Sequence, residues 1–345
     1  VLGVLALLGA IAAVLRATPW PAALLIRRVF EKGARETLAE MRPYVPAADF
    51  AERRDIHYGD AGFAPTLDVF SLAPDPDDPD SGRPRPVVVW IHGGAWISGS
   101  KVDVEPYLKL LAADGYVTAA LDYTIAPEAV YPVAITQLNR ALGYLVEHAD
   151  EFGIDPARIV LAGDSAGAQL ASQLAVLTTN PRYSELVGVV PALDRAQLAG
   201  VVLHCGLYDL QAMTGATGIV GWGFKTALWA YTGQRNWSET AAGATMSTIE
   251  FVTGDFPPVF VSGGNGDGLT HQQSVPLAER MRAAGVDVTA LFWAPDHEPA
   301  LPHEYQFHLD FDEAREALER TKEFLARVAA GGGRIPAHGD HGPTE

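Results

Sequence analysis

Cysteine is almost absent: Cys205 is the single one in 345 residues. One thiol excludes an intrachain disulfide framework and a Cys-rich zinc site. Basic side chains are also scarce, 25 Lys and Arg against 42 Asp and Glu, for a net charge of −17. A phosphate backbone needs a basic surface, so nucleic acid is not an expected partner. Glycine and proline, 34 and 24 residues, fall short of the share typical of low-complexity chains. What is plentiful is apolar surface: 48% of the residues are hydrophobic, which excludes a mostly disordered chain. No apolar run reaches the ~20 residues that span a bilayer as a helix.

The longest run, Val1 to Leu15, is wholly apolar. It fits a signal-peptide core or the end of a spanning helix whose start is missing, with a buried or cap helix as the alternative. Residues 1–26 are therefore expected to be an apolar N-terminal segment, a membrane anchor or signal, and the protein membrane-associated or exported; otherwise it is cytoplasmic. Arg16, Arg27, Arg28, Lys32 and Arg35 follow the run. Leu24 to Met41 spaces its apolar residues at helical period with charges between, and is expected as an amphipathic helix on the membrane or on the main domain. Residues 27–52 are read as this helix with its linker. A tail at 331–345 opens on Gly331-Gly332-Gly333 and is expected to be flexible.

Between these ends, short β-branched runs alternate with helical stretches. The runs are Val87–Ile91, Val117–Leu121, Ile159–Ala162, Gly200–Leu203, Val259–Ser262 and Val286–Trp293. They are continuous rather than alternating, as strands buried on both faces are. Helices are expected over Glu105–Asp114, Val133–Phe152, Ala166–Leu177, Gln272–Ala284 and Asp312–Val328. The alternation predicts an α/β fold with a mostly parallel central sheet and helices on both faces. Arg54–Tyr58 and Thr66–Leu72, joined by a turn at Gly59–Gly62, predict an antiparallel edge. Pro74–Pro86 predicts a surface loop.

Ligands gather at the carboxyl ends of parallel strands, so the residues just after each strand matter most. After Ile159–Ala162 comes Gly163-Asp164-Ser165-Ala166-Gly167, then a helix. A sharp strand-to-helix turn there projects a hydroxyl, and the helix N-terminus lies near developing negative charge. Ser165 is the candidate nucleophile. After Val87–Ile91 comes His92-Gly93-Gly94-Ala95-Trp96. Bare backbone N–H groups suit an oxyanion, so Gly93 and Gly94, with Ala166, are the candidate oxyanion donors. His92 is expected to hold this loop rather than to react.

A serine hydroxyl needs a base, and the base an orienting acid. Asp267, in the loop Gly263 to Leu269 just past Val259–Ser262, is the candidate acid. The base should follow Val286–Trp293. His303 is the first candidate, with His297 and His308 as alternatives. The 55-odd residues between Leu203 and Val259 exceed a plain connection and are expected to form a lid, about 206–256, inside a catalytic domain of 53–330.

Five segments, His92–Trp96, Asp122–Pro132, Gly153–Ala171, Gly264–Leu269 and Pro302–Phe307, together resemble the α/β-hydrolase superfamily. Within it the chain is similar to the hormone-sensitive-lipase-like carboxylesterases. The resemblance covers about Ile56 to Val328. It implies an α/β-hydrolase fold with a helical cap, a Ser165–His303–Asp267 esterase with an HGG oxyanion loop, and no metal or organic cofactor. The chain departs from the family pattern at Ala168, Thr124 and Gly268, and the stretch from Trp293 to His303 is longer. The expected activity is hydrolysis of short- to medium-chain acyl esters, with a small-molecule ester as substrate. An amide hydrolase of arylformamidase or peptidase type, and a silent hydrolase-fold binding protein, are the alternatives. Membrane association through the N-terminal segment is a further expectation.

Overall fold

The computed structural model describes residues 16–59, 65–77 and 82–330. The Val1–Leu15 run and the 331–345 tail lie outside the described residues. So do parts of the expected turn at Gly59–Gly62 and of the loop Pro74–Pro86. Eight strands form one sheet: β1 (Phe50–His57), β2 (Thr66–Leu72), β3 (Arg85–Ile91), β4 (Val117–Leu121), β5 (Ile154–Asp164), β6 (Leu198–His204), β7 (Val259–Gly263) and β8 (Val288–Phe292). Their order is β1-β2-β4-β3-β5-β6-β7-β8. β1 and β2 pair antiparallel, as do β2 and β4; from β4 to β8 every pairing is parallel. The longer helices are α1 (Trp20–Met41), α2 (Glu105–Ala113), α3 (Val133–Glu147), α4 (Ala166–Thr179), α5 (Gly218–Thr232), α6 (Val275–Ala283) and α7 (Asp312–Ala329).

The period-2 geometry of a strand sorts β3 between two cores. Val87, Val89 and Ile91 face α3, α4 and α6 through residues such as Leu138, Leu170 and Leu277. Val88 and Trp90 face α2 and α7 through Tyr107, Leu111 and Leu325. Both faces are apolar and covered, which is why these strands read as unbroken hydrophobic runs.

Several boundaries differ from expectation for local reasons. β5 begins five residues before Ile159, because Arg85 pairs with Ile154 across a register irregularity. The stretch expected as one helix, Val133–Phe152, breaks at His148, whose backbone leaves the helical region and whose Nδ1 lies 2.9 Å from the Tyr144 carbonyl. The helix expected from Gln272 starts as a π-helical turn, Thr270–Ser274, before α6.

Between β6 and β7 lies a helical segment with α5 at its centre and short turns at Gln211–Gly215, Ala241–Met246 and Thr248–Glu250. α1 is docked on the sheet-bearing unit. Its Arg27 donates from Nε to the Ile97 carbonyl at 2.6 Å and from Nη2 to the Ala126 carbonyl at 2.8 Å, and forks onto Glu128. No helix among the described residues is long and apolar enough to cross a membrane.

Candidate active site

The carboxyl ends of β3, β5, β6 and β7 deliver His92, Ser165, Cys205 and Gly264 to one edge of the sheet. Ser165 sits at φ +52°, ψ −119°, a conformation costing about 1–3 kcal/mol for a non-glycine residue. The surroundings enforce it. Its N–H donates to the His204 carbonyl at 2.9 Å, and its own carbonyl accepts from Gln169 N–H as α4 begins. A side chain at Gly167 would run into the backbone of Ile91 and His92, and one at Gly163 into Gly167. Glycine therefore flanks the serine because strand and helix cross too closely for a Cβ.

His303 Nε2 lies 2.9 Å from Ser165 Oγ, and His303 Nδ1 lies 2.7 Å from Asp267 Oδ2. The second carboxylate oxygen of Asp267 accepts from Leu269 N–H at 2.9 Å, so the acid is held by its own loop. Ser165 and Asp267 are buried, whereas the His303 side chain keeps 37% of its exposure. The other two histidines point elsewhere. His297 Nε2 pairs with Glu313 at 2.7 Å and its ring packs on Trp293; His308 pairs with Glu40 at 2.9 Å. His92 is buried, stacks on Tyr123 and keeps Nδ1 2.8 Å from the Gly93 carbonyl, a loop-holding position.

The expected donor set needs one correction. The Gly93 N–H donates to Asp164 Oδ2 at 2.9 Å, so it is not free for an oxyanion. The chain then turns through three left-handed residues, Gly94 at φ +98°, Ala95 at φ +51° and Trp96 at φ +60°. Among the described residues no acceptor sits on the N–H groups of Gly94, Ala95 or Ala166. Gly93 is still required to be glycine, because a Cβ there would meet the Asp164 carboxylate and Glu304.

Three acidic or nucleophilic neighbours were not legible as site residues. Asp164 is buried, accepts from Trp90 Nε1 at 2.8 Å as well as from Gly93, and has the Glu304 carboxylate as a neighbour. Burial, then the Glu304 charge, push its pKa well above the carboxylate range, against the two N–H donors. Glu304 follows His303 in a left-handed conformation that turns its carboxylate back to within 3.8 Å of His303 Nε2. Cys205, just past β6, lies beside His303, and burial pushes its thiol pKa up. Burial opposes a charge on His303, but the sulfur of Cys205, the hydrogen-bonded Asp267 and Glu304 outweigh it and hold its pKa above the ordinary imidazole value. Since the buried thiol is neutral near pH 7, Glu304 carries the charge part of that effect and Asp267 the hydrogen-bond part. Cys205, Asp267 and His303 also bring ligand-type atoms within 4.8 Å of one another, the one such grouping among the described residues. The atoms involved overlap those of the Asp267–His303 hydrogen bond.

A nucleophile-type serine at a strained strand–helix turn, with a histidine and an acid arriving from later strands, defines the α/β-hydrolase class. The chain belongs to the family described as BD-FAE, whose model matches residues 77–281. It is 30% identical over 260 residues to the probable carboxylic ester hydrolase LipM of Mycobacterium tuberculosis, covering 75% of this chain and 58% of that protein. It is 27% identical over 253 residues to the esterase LipQ of the same organism, covering 70% and 56%. The chain thus spans a little over half the length of these two relatives. Its fold is similar to that of esterase B from Lactobacillus rhamnosis, with a TM-score of 0.75 and 22% identity over 90% of this chain and 96% of that one. An esterase from Pyrobaculum calidifontis superposes with a TM-score of 0.67 at 20% identity, covering 90% and 93%.

Proposed function

We propose that the protein is a serine carboxylic-ester hydrolase acting on short- to medium-chain acyl esters. The observation that carries this reading is the position of His303, within hydrogen-bond reach of Ser165 Oγ on one ring nitrogen and of Asp267 on the other. In this mechanism His303 takes the Ser165 proton as Oγ attacks the ester carbonyl. The N–H groups of Gly94, Ala95 and Ala166 stabilise the tetrahedral oxyanion. Collapse expels the alcohol, protonated by His303, and leaves an acyl group on Ser165. Water, deprotonated by His303, then attacks that acyl-enzyme and releases the acid. Asp267 keeps Nδ1 protonated and orients the ring.

The curated relatives named as esterases support the reaction class. So does the similarity in fold to esterase B inhibited by a tributyrin phosphonate. The test is a panel of p-nitrophenyl esters of increasing acyl length beside an aryl amide, with fluorophosphonate labelling read by mass spectrometry. Turnover of the shorter esters and a single adduct on Ser165 are expected. An absence of ester turnover together with an unlabelled Ser165 overturns the reading, and turnover of the amide alone moves the substrate class.

A further inference from the structure

Several strongly exposed apolar side chains lie on two helices, apart from Leu186 and Val190 elsewhere on the molecule. Leu25 and Val29 are exposed on α1, as is Trp20 at its first residue. Ile219, Val220 and Trp222 lie on the first turns of α5. Val29 is 63% exposed and Ile219 82%, high for residues of this size. The two helices pack against each other. Monomers rarely expose contiguous apolar patches of this kind without a use for them.

Charge and chain order indicate what covers it. Along α1 the apolar turns give way to exposed Arg28, Lys32 and Arg35, and Arg16 precedes them. Glu31 and Glu36 lie among these, Glu36 paired with Lys32 at 3.5 Å, so the excess is positive. This local excess stands out in a chain of net charge −17. A basic rim facing its own copy across a two-fold axis would repel, which disfavours a second copy as occupant. Immediately before Arg16 the chain carries the fifteen apolar residues Val1 to Leu15. Apolar side chains followed by basic ones at the start of a surface helix are what an anionic lipid interface receives.

We infer that the joint surface of α1 and α5 docks on an anionic lipid bilayer, with Leu25, Val29, Ile219 and Val220 entering the acyl boundary and the basic residues of α1 meeting the headgroups. The same helices rest on the segment that follows the oxyanion loop. Arg27 of α1 holds the Ile97 carbonyl, and Tyr231 of α5 stacks on Trp96 with ring centroids 5.3 Å apart. The docked face is thus mechanically continuous with the Gly94–Ala95 turn. This inference stands apart from the hydrolytic reading.

The experiment is vesicle flotation of the 345-residue chain with phosphatidylcholine vesicles containing phosphatidylglycerol, and with phosphatidylcholine alone. The parent and Ser165→Ala chains are expected to bind the anionic vesicles equally, and binding should weaken with salt. Leu25→Asp/Val29→Asp and Ile219→Asp/Val220→Asp are each expected to lower partitioning by about tenfold or more. These positions are exposed, so melting temperature should be unchanged; if it is not, the milder Ser pairs replace the Asp pairs. A parent that does not bind overturns the inference. So do Asp variants that bind as the parent does, since the Val1–Leu15 run would then anchor the chain unaided. Loss of self-association by light scattering with unchanged lipid binding would instead assign the face to a second copy.

Discussion

The backbone N–H of Gly93 donates to the carboxylate of Asp164 across 2.9 Å, joining the loop after β3 to the residue immediately before Ser165. The same carboxylate accepts from Trp90 on β3 itself. Asp164 therefore sets the height of the Gly94–Ala95 turn above the serine.

Replacing Asp164 by Ala leaves two buried N–H donors without an acceptor. The cost expected is about 1–3 kcal/mol for each, read as a fall in the urea midpoint. Because the loop loses its tether, kcat for a p-nitrophenyl ester is expected to fall by more than KM rises. Unchanged kcat would remove Asp164 from the positioning of the oxyanion donors.

The assignment of the base is tested by single substitutions. His303→Ala and Ser165→Ala are each expected to lower kcat by on the order of 10⁴–10⁶. His297→Ala loses a half-exposed pair with Glu313 and is expected to retain turnover within a few-fold. Loss of activity in His297→Ala with retention in His303→Ala would reverse the roles.

The pH profile follows from the groups around His303. The imidazole must be neutral to take the Ser165 proton, and its acidic neighbours hold its pKa above the ordinary value of about 6.5. The acid limb of kcat/KM is thus expected to have its midpoint above that value, with activity rising as pH rises through it. Glu304→Gln removes one negative neighbour 3.8 Å from Nε2, so the limb is expected to move to lower pH. A limb that stays in place would show that Asp267 acts alone.

Stability should carry the opposite signature. The native pKa of Asp164 is raised, so between about pH 4 and that raised value the native state binds more protons than the unfolded chain. Stability is full below the unfolded carboxylate value and falls as pH rises, by up to about 1.4 kcal/mol per pH unit while one proton separates the states. Asp103, whose pKa burial raises and which also faces Glu304, adds in the same direction. Glu304→Gln keeps a hydrogen-bonding side chain beside Asp164 without the charge. Its denaturant midpoint is expected to fall less steeply from pH 5 to pH 8 than the parent's.

Cys205 offers a check on the site's enclosure. Its side chain is buried and its thiol pKa raised, so thiolate is scarce near neutral pH. Alkylation by iodoacetamide is expected to be slow in the native protein and fast in denaturant. Cys205→Ala, which removes a buried neighbour of His303 but no reacting atom, is expected to cost less than about tenfold in turnover.

Much of the architecture could be read from residue order. The unbroken β-branched runs mark strands covered on both faces, and the glycines around Ser165 mark a turn where strand and helix nearly touch. Less legible were features that depend on distant partners. β5 extends back to Ile154 because Arg85 offers it a pairing, and no local pattern announces that. The docking of α1 hangs on Arg27 meeting the carbonyls of Ile97 and Ala126, some 70 and 99 residues away.

What the sequence alone determined was the class of fold: a serine framed by glycines between strand and helix, then an acid and histidines after later strands, in an order that only a few folds can bring together. Three decisions belonged to the tertiary structure. His303 rather than His297 reaches Ser165, since His297 is drawn to Glu313 on α7. Gly93 gives its N–H to Asp164, which moves the free donors one residue along to Gly94 and Ala95. Glu304 and Cys205 become neighbours of the imidazole. Each depends on where separate strands end in space, and a hydrogen bond forms by distance and direction, which spacing along the chain does not encode.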